Sequence, residues 1–120
     1  MFEQGDTFLG GGEIHGEHHL WLVINDPAAH DDVALIVNVT TLRLDADSTC
    51  IVAPGEHPFL KHDSYVRYSG ARRVRTADLT DAVRSGLLKT QQAAGKTLLA
   101  KVRAGAQASP HLPCELLAFL

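Results

Sequence analysis

The first two thirds of the chain consists of short apolar segments, each ended by turn residues. Three of them are rich in β-branched or aromatic residues and cover residues 19–25, 33–40 and 49–53. Such lengths and residue types favour β-strands over helices. Asp26-Pro27 and Pro54-Gly55 end the first and the third segment, as turns do. The pattern predicts a sheet of short strands rather than a helical bundle.

Further short segments complete the predicted sheet. Residues 6–9 form a brief apolar stretch that the glycines at 10–12 stop. Residues 64–68 and 72–75 have the residue types of two more strands, with Ser69-Gly70 as a turn between them. The sequence therefore predicts five or six strands before residue 76.

The last third has helical rather than strand periodicity. Asp78 is placed to cap a short helix that Gly86 closes, with one apolar face formed by Leu79, Ala82 and Val83. Residues 90–103 predict a second helix, ended by Gly105, whose apolar residues are Ala94, Leu98, Leu99 and Val102. Strands followed by helices predict one α+β domain over residues 1–120, built on a small, strongly bent antiparallel sheet or open barrel.

Charge is distributed unevenly along the 120 residues. Residues 1–60 hold ten acids and one base, a net charge of −9, whereas residues 61–120 hold ten bases and four acids, a net charge of +6. The total of −3 therefore hides a basic second half. A local basic surface is compatible with the acidic total, so a nucleic-acid partner is not excluded.

The sequence contains no pattern typical of secretion or membrane insertion. Its first six residues lack the basic and apolar regions of a signal peptide, and runs such as residues 33–37 are too short to span a bilayer. We therefore expect a cytoplasmic protein with no membrane partner. Cys50 and Cys114 lie in apolar stretches with no Cys-x-x-Cys motif, which predicts two buried, reduced thiols.

Histidine is the most abundant candidate for chemistry, with seven copies. Five of them fall in two clusters: His15, His18 and His19, and then His57 and His62. Because histidine titrates near neutral pH, such clusters suit general acid–base catalysis. A metal site formed by the first cluster with Glu13 or Glu17 is an alternative, but the spacing matches no defined zinc signature. We expect no metal and no cofactor.

Metal-free cleavage of RNA needs residue types that this chain has. The reaction requires a base for the 2′-hydroxyl, an acid for the leaving oxygen and donors for the charge on the phosphate. The candidates for base and acid are His18, His19, His57 and His62, and those for phosphate binding are Lys61, Arg67, Arg73, Thr40 and Thr41.

Residues 61–68 combine bases with two tyrosines, and three arginines follow within residues 72–75. Bases with aromatic rings are typical of single-stranded nucleic-acid surfaces, where phosphates bind and bases stack. An ordinary strand with Tyr65 or Tyr68 in the core has the same pattern. The sequence alone leaves both interpretations open.

Several short motifs follow one another in an order that matches a known family. Gly5-Asp6 opens the first strand, His18-His19 leads into the strand at 20–24, and Thr40-Thr41 ends the next strand. The later motifs are Ser64-Tyr65-Val66, Val74-Arg75-Thr76, Leu79 and Gly86. In this order they resemble the MazF/PemK family of toxin endoribonucleases, small proteins with an SH3-like barrel followed by helices.

The resemblance implies a function. Members of this family cleave single-stranded RNA without metal, through attack of the 2′-hydroxyl, form homodimers and are neutralised by an antitoxin protein in a type II toxin–antitoxin pair. The family's catalytic pair, a basic residue at the strand entry and a threonine, falls here on His19, with His18 as its neighbour, and on Thr40.

The chain departs from the family pattern at that basic position, where it has His19 instead of arginine. A guanidinium is always charged, whereas histidine stabilises a phosphorane only when protonated. One interpretation is that other groups share the chemistry, with His62 as acid–base and Lys61 as phosphate clamp. The alternative is a non-catalytic PemK-like module that binds a protein or nucleic-acid partner.

Overall fold

A computed structural model describes residues 2–10 and 19–120. Its sheet has the antiparallel order β4-β5-β3-β2-β1-β6. The strands are β1 Thr7–Gly10, β2 His19–Val23, β3 Val33–Thr41, β4 Ile51–Val52, β5 Ser64–Arg75 and β6 Lys89–Gln91. The helices are α1 Thr76–Arg84 and α2 Lys96–Ala108, with 3-10 turns at Pro27–Ala29 and Cys114–Phe119. The predicted α+β class, a bent antiparallel sheet followed by helices, is confirmed.

The two faces of the sheet are covered by different elements. Alternate residues of β3 point to opposite sides, so Leu35, Val37 and Val39 pack with α2 and the C-terminal 3-10 turn in the larger core. Ala34 and Ile36 pack in a smaller core with Leu79 of α1. We call these the α2 face and the α1 face.

The region predicted as two strands joined by a Ser69-Gly70 turn is one continuous strand, β5. Arg67 pairs with Asn38 and Arg72 pairs with Ile36, so four residues of β5 lie opposite a single residue of β3. A bulge takes up the extra residues while both halves of β5 continue to pair with the same neighbour. The predicted turn is therefore wrong.

The helix predicted at residues 90–103 is also wrong in its bounds. Lys89–Gln91 pairs with β1 as the edge strand β6, and α2 begins only at Lys96. Gly105 does not end α2 but lies inside it. A Cβ atom at this position would come within 2.2 Å of the Tyr68 hydroxyl oxygen, so glycine is required here by close packing.

The predictions for the start and end of α1 and for the two cysteines are partly confirmed and partly wrong. Helix α1 starts at Thr76 with Arg75 as its N-cap, so Asp78 lies in the first turn instead of capping it. Gly86, with a φ of +84°, follows the end of α1 as predicted. Cys50 is a buried free thiol, but Cys114 is an exposed one. None of the helices within the described residues has the length and apolar character needed to cross a membrane.

Candidate functional site

A cleft of about 380 Å³ lies where β2 begins and β3 ends. It brings together five of the residues that the sequence predicted for the site: His19, Thr40, Thr41, Lys61 and His62. The remaining lining residues are Val39, Phe59, Leu60 and Ser64. We call this the His19–His62 cleft.

Strand register and one loop explain why these residues meet. Leu20 pairs with Val39, so His19, one residue earlier in the antiparallel partner, comes next to Thr40. Thr41 pairs with Ser64 at the start of β5. The segment that connects β4 to β5, residues 53–63, returns to this same end of the sheet and supplies Lys61 and His62.

His57 holds this connecting segment in place. Its ring is only 2% exposed, and the backbone N–H of Phe59 donates a 3.0 Å hydrogen bond to Nδ1. Because Nδ1 accepts, Nε2 carries the proton and donates to the carbonyl oxygen of Gln92 at 2.6 Å. The prediction that His57 binds substrate is therefore not supported. It lies behind the wall of the cleft.

Glu56 provides a second anchor for the same segment. Its carboxylate accepts a 2.6 Å hydrogen bond from the Ala53 N–H and pairs with the Lys101 ammonium of α2 at 3.1 Å. Partial burial by itself would raise the pKa of this carboxyl, but the hydrogen bonds and the lysine outweigh burial and lower it. Leu60, packed in the larger core, fixes the middle of the segment.

The cleft is basic and open to solvent. Its titratable lining side chains are His19, Lys61 and His62, and no carboxylate is among the lining residues that the structure describes. Lys61 and His62 are exposed, and His19 is half-buried. Such a surface suits an anionic ligand, because its basic side chains attract negative charge. Thr40 and Thr41 add two neutral hydroxyl donors that can form hydrogen bonds with the same ligand.

Besides His57, three predicted site residues are not among those that line the cleft. His18 lies outside the described residues. Arg67 is on the α1 face, opposite Asn38. Arg73 pairs with Leu35 on the α2 face, and its guanidinium carbon lies 5.8 Å from the centre of the Phe119 ring. An unbroken strand would place Arg67 and Arg73 on one face, but the bulge between them shifts the alternation by one residue, so the two side chains lie on opposite faces of the sheet.

The two tyrosines of residues 61–68 belong to the core. Tyr65 is 2% exposed, and Tyr68 is fully buried and donates a 2.7 Å hydrogen bond to the carbonyl oxygen of Val102. Burial raises the pKa of the Tyr68 phenol. Of the two interpretations that the sequence left open, stacking of nucleic-acid bases on these rings is therefore wrong.

Besides the core residues Val39 and Leu60, two residues of the cleft were not predicted from the sequence. Phe59 is 37% exposed at the cleft, and Ser64 lies at its floor beside Thr41. A phenylalanine between two histidines in a polar connection was the available signal for Phe59. Ser64 carried none.

Metal binding finds no support among residues 2–10 and 19–120, which contain no group of three or more histidine, cysteine or carboxylate side chains placed to hold an ion. The alternative metal site used His15, His18 and His19 with Glu13 or Glu17. Of these, only His19 is among the described residues.

Comparison with known proteins shows which solved structures have a similar fold. No protein-family model and no curated protein matches the chain. A mycobacterial endoribonuclease solved in complex with its cognate antitoxin matches with a TM-score of 0.59 and 15% identity, over 94% of this chain and 98% of that one. A MazE–MazF structure from Deinococcus radiodurans matches with a TM-score of 0.57 and 16% identity, over 89% and 94%.

These matches define the class of the fold. The chain has the α+β architecture of toxin endoribonucleases, and within that class it has the MazF-like fold. The resemblance that the motifs indicated is thus confirmed for the fold, over nearly the whole chain.

Proposed function

We propose that the chain is a metal-independent endoribonuclease that cleaves single-stranded RNA and acts as the toxin of a toxin–antitoxin pair. The observation that carries this proposal is the His19–His62 cleft, where two histidines, one lysine and two threonines meet on a MazF-like scaffold. These groups are the base, the acid and the phosphate donors that the reaction needs.

The proposed reaction moves one proton at each end of the scissile bond. One of the two cleft histidines, neutral, takes the proton of the 2′-hydroxyl, and the 2′-oxygen forms a bond to phosphorus. The bond from phosphorus to the 5′-oxygen breaks, and the other histidine, protonated, gives its proton to that oxygen. The products are a 2′,3′-cyclic phosphate and a 5′-hydroxyl. The proposed reaction consumes no water molecule and uses no metal ion.

Lys61 and the two threonine hydroxyls stabilise the negative charge that develops on the phosphate. Lys61 is a second cationic group in the same cleft as His19, so stabilisation of the phosphate does not depend on His19 alone. Thr40 and Thr41 donate hydrogen bonds to the phosphate oxygens. Lys61 and the two threonines together compensate for His19, which occupies the position where the family has an arginine.

An antitoxin protein and a second copy of the chain are the proposed partners. Both solved structures named above are complexes with an antitoxin or with MazE. Light scattering of the purified protein, alone and with a candidate antitoxin, tests both partners.

Replacement of the cleft histidines tests the proposed chemistry. His19→Ala and His62→Gln should each lower the cleavage rate by about 10²- to 10⁴-fold, the usual loss for a general acid or base. Lys61→Met should reduce the rate as well, since it removes the phosphate clamp. His111→Gln and Lys96→Met change exposed residues that do not line the cleft and should leave the rate unchanged.

The same experiment separates the proposal from the alternative of a binding module. His19 in place of arginine is the observation that favours this alternative. If the purified protein binds RNA but does not cleave it under any condition tested, the binding module is correct. If His19→Ala cleaves as fast as the unchanged protein, the role given to His19 is wrong.

A further inference from the structure

We infer that the α1 face beside the cleft holds a nucleotide subsite, in which Asn38 accepts a hydrogen bond from the amino group of a base and Arg67 binds a phosphate. This inference rests on the proposed function, because its ligand is the RNA that occupies the His19–His62 cleft. It adds a specificity-determining residue and a chemical preference for that RNA.

The subsite adjoins the cleft by strand register. Trp21 pairs with Asn38, and Asn38 pairs with Arg67, so these three residues form a row across β2, β3 and β5 on one face. Thr40 lies on the same face of β3, two residues further along the strand. That step is about 6.7 Å, so an RNA chain in the cleft reaches the row with a neighbouring nucleotide.

Asn38 has a buried acceptor that is not paired within residues 2–10 and 19–120. Its side chain is 4% exposed, and Oδ1 forms no hydrogen bond with any described residue. Its neighbours along β3, Val37 and Val39, are apolar and buried. A buried acceptor without a donor costs stability, whereas an apolar side chain of similar shape at this position would not. A ligand that brings a donor accounts for the asparagine.

Arg67 and this acceptor both lie beside Gly70. A Cβ atom on Gly70 would lie 2.6 Å from Arg67 Nη1 and 3.0 Å from Asn38 Oδ1, so the guanidinium occupies the space that the glycine leaves open. Arg67 is exposed, and the ion pairs within residues 2–10 and 19–120 do not include it. When the Arg67 side chain rotates to bind a phosphate, Oδ1 of Asn38 becomes accessible to a base.

Arg72 keeps the surroundings positively charged. Its guanidinium carbon lies 5.5 Å from the centre of the Trp21 ring, a cation–π contact that holds the side chain over β3. Arg72 is exposed and also lies outside the ion pairs of the described chain. Two arginines that form no ion pair with any carboxylate in the described part of the chain therefore border Asn38, which suits a polyanion.

The lone acceptor selects the base. Oδ1 pairs with an exocyclic amino group, which adenine, cytosine and guanine present on their Watson–Crick edges. Uracil has no amino group, and its one donor on that edge, N3–H, is flanked by two carbonyl oxygens that the Asn38 Oδ1 would repel. The subsite is therefore expected to prefer a base with an amino group, such as adenine or cytosine, over uracil.

Fluorescence anisotropy with uncleavable RNA analogues tests this preference. The probes are 2′-O-methyl decamers of adenosine, cytidine and uridine. The unchanged protein should bind the adenosine and cytidine decamers about 5- to 50-fold more tightly than the uridine decamer, as expected for one base-specific contact. Asn38→Leu should bind all three alike. Arg67→Gln should weaken binding to all three and reduce the salt dependence, whereas Arg84→Gln, an exposed arginine on α1, should not.

Unfolding measurements provide the matched control for the unpaired acceptor. Asn38→Leu should be at least as stable as the unchanged protein. Asn25→Leu should be clearly less stable, because the Asn25 amide donates to Val33 O and accepts from the Leu35 N–H. A marked loss of stability in Asn38→Leu, or binding without discrimination in the unchanged protein, overturns the inference alone. Absence of binding to every decamer overturns the proposed function together with it.

Discussion

His57 and Gln92, 35 residues apart in the sequence, are joined by a 2.6 Å hydrogen bond from the imidazole Nε2 to the backbone carbonyl oxygen. The bond connects the segment that carries Lys61 and His62 to the end of the edge strand β6. The position of Lys61 and His62 in the cleft therefore depends on a buried histidine that does not itself line the cleft.

Truncation of this histidine should destabilise the fold. His57→Ala leaves the Phe59 N–H without its partner and removes one of two donors to the Gln92 carbonyl, which keeps the Thr7 hydroxyl. A buried group left without a partner costs about 1–3 kcal/mol, so we expect a loss of about 1–3 kcal/mol in the free energy of unfolding, measured by urea denaturation. His57→Gln keeps a donor for Gln92 and should lose less. A change below about 0.5 kcal/mol, the range of ordinary surface substitutions, would contradict the anchoring role of His57.

Acid should weaken the second anchor of the same segment. The pKa of Glu56 is lowered from its ordinary value of 4.5, so its carboxylate contributes stability above that pH. The contribution is lost as the pH falls through 4.5 and below, where the carboxylate takes up its proton. Melting temperatures between pH 6 and pH 3 should therefore fall less steeply for Glu56→Gln than for the unchanged protein. Identical slopes for the two proteins would rule out this contribution.

Close packing between α2 and β5 predicts a strong effect at Gly105. Alanine is a better helix former than glycine by about 1 kcal/mol, so Gly105→Ala would stabilise an open helix. Here the added methyl group meets the Tyr68 hydroxyl, and overpacking of this kind costs about 1–3 kcal/mol. We expect net destabilisation in thermal unfolding, partly relieved by adding Tyr68→Phe. If Gly105→Ala raises the melting temperature, the packing described here is wrong.

The strands were predicted well because their signals are local. Residues 19–25 and 33–40 combine β-branched runs with clear turn residues, and β2 and β3 match them closely. The edge strand β6 was missed, since Lys89–Gln91 is short and mainly polar and forms a strand only by pairing with β1. Gly105 was misread for a similar reason: its role comes from Tyr68, 37 positions earlier in the chain.

The sequence predicted part of the site. The wrong predictions share one cause, which is contact between residues that lie far apart in the chain. His19, Thr40, Thr41, Lys61 and His62 stand at strand ends or in a connection, and all five side chains remain exposed or half-buried. His57 has the same residue type and neighbourhood in sequence, but its ring turns inward to the carbonyl of Gln92. Arg67 and Arg73 were separated by the bulge in β5, which no local pattern reveals.

The most direct test of the proposed function is the chemistry of the RNA ends. A labelled single-stranded RNA of mixed sequence is incubated with the purified protein in excess EDTA, and the products are analysed for their termini. We expect cleavage that yields 2′,3′-cyclic phosphate and 5′-hydroxyl ends and that stops when the nucleotide 5′ to the cut carries a 2′-deoxy sugar. Cleavage that leaves 3′-hydroxyl and 5′-phosphate ends, or no cleavage at all, would contradict it.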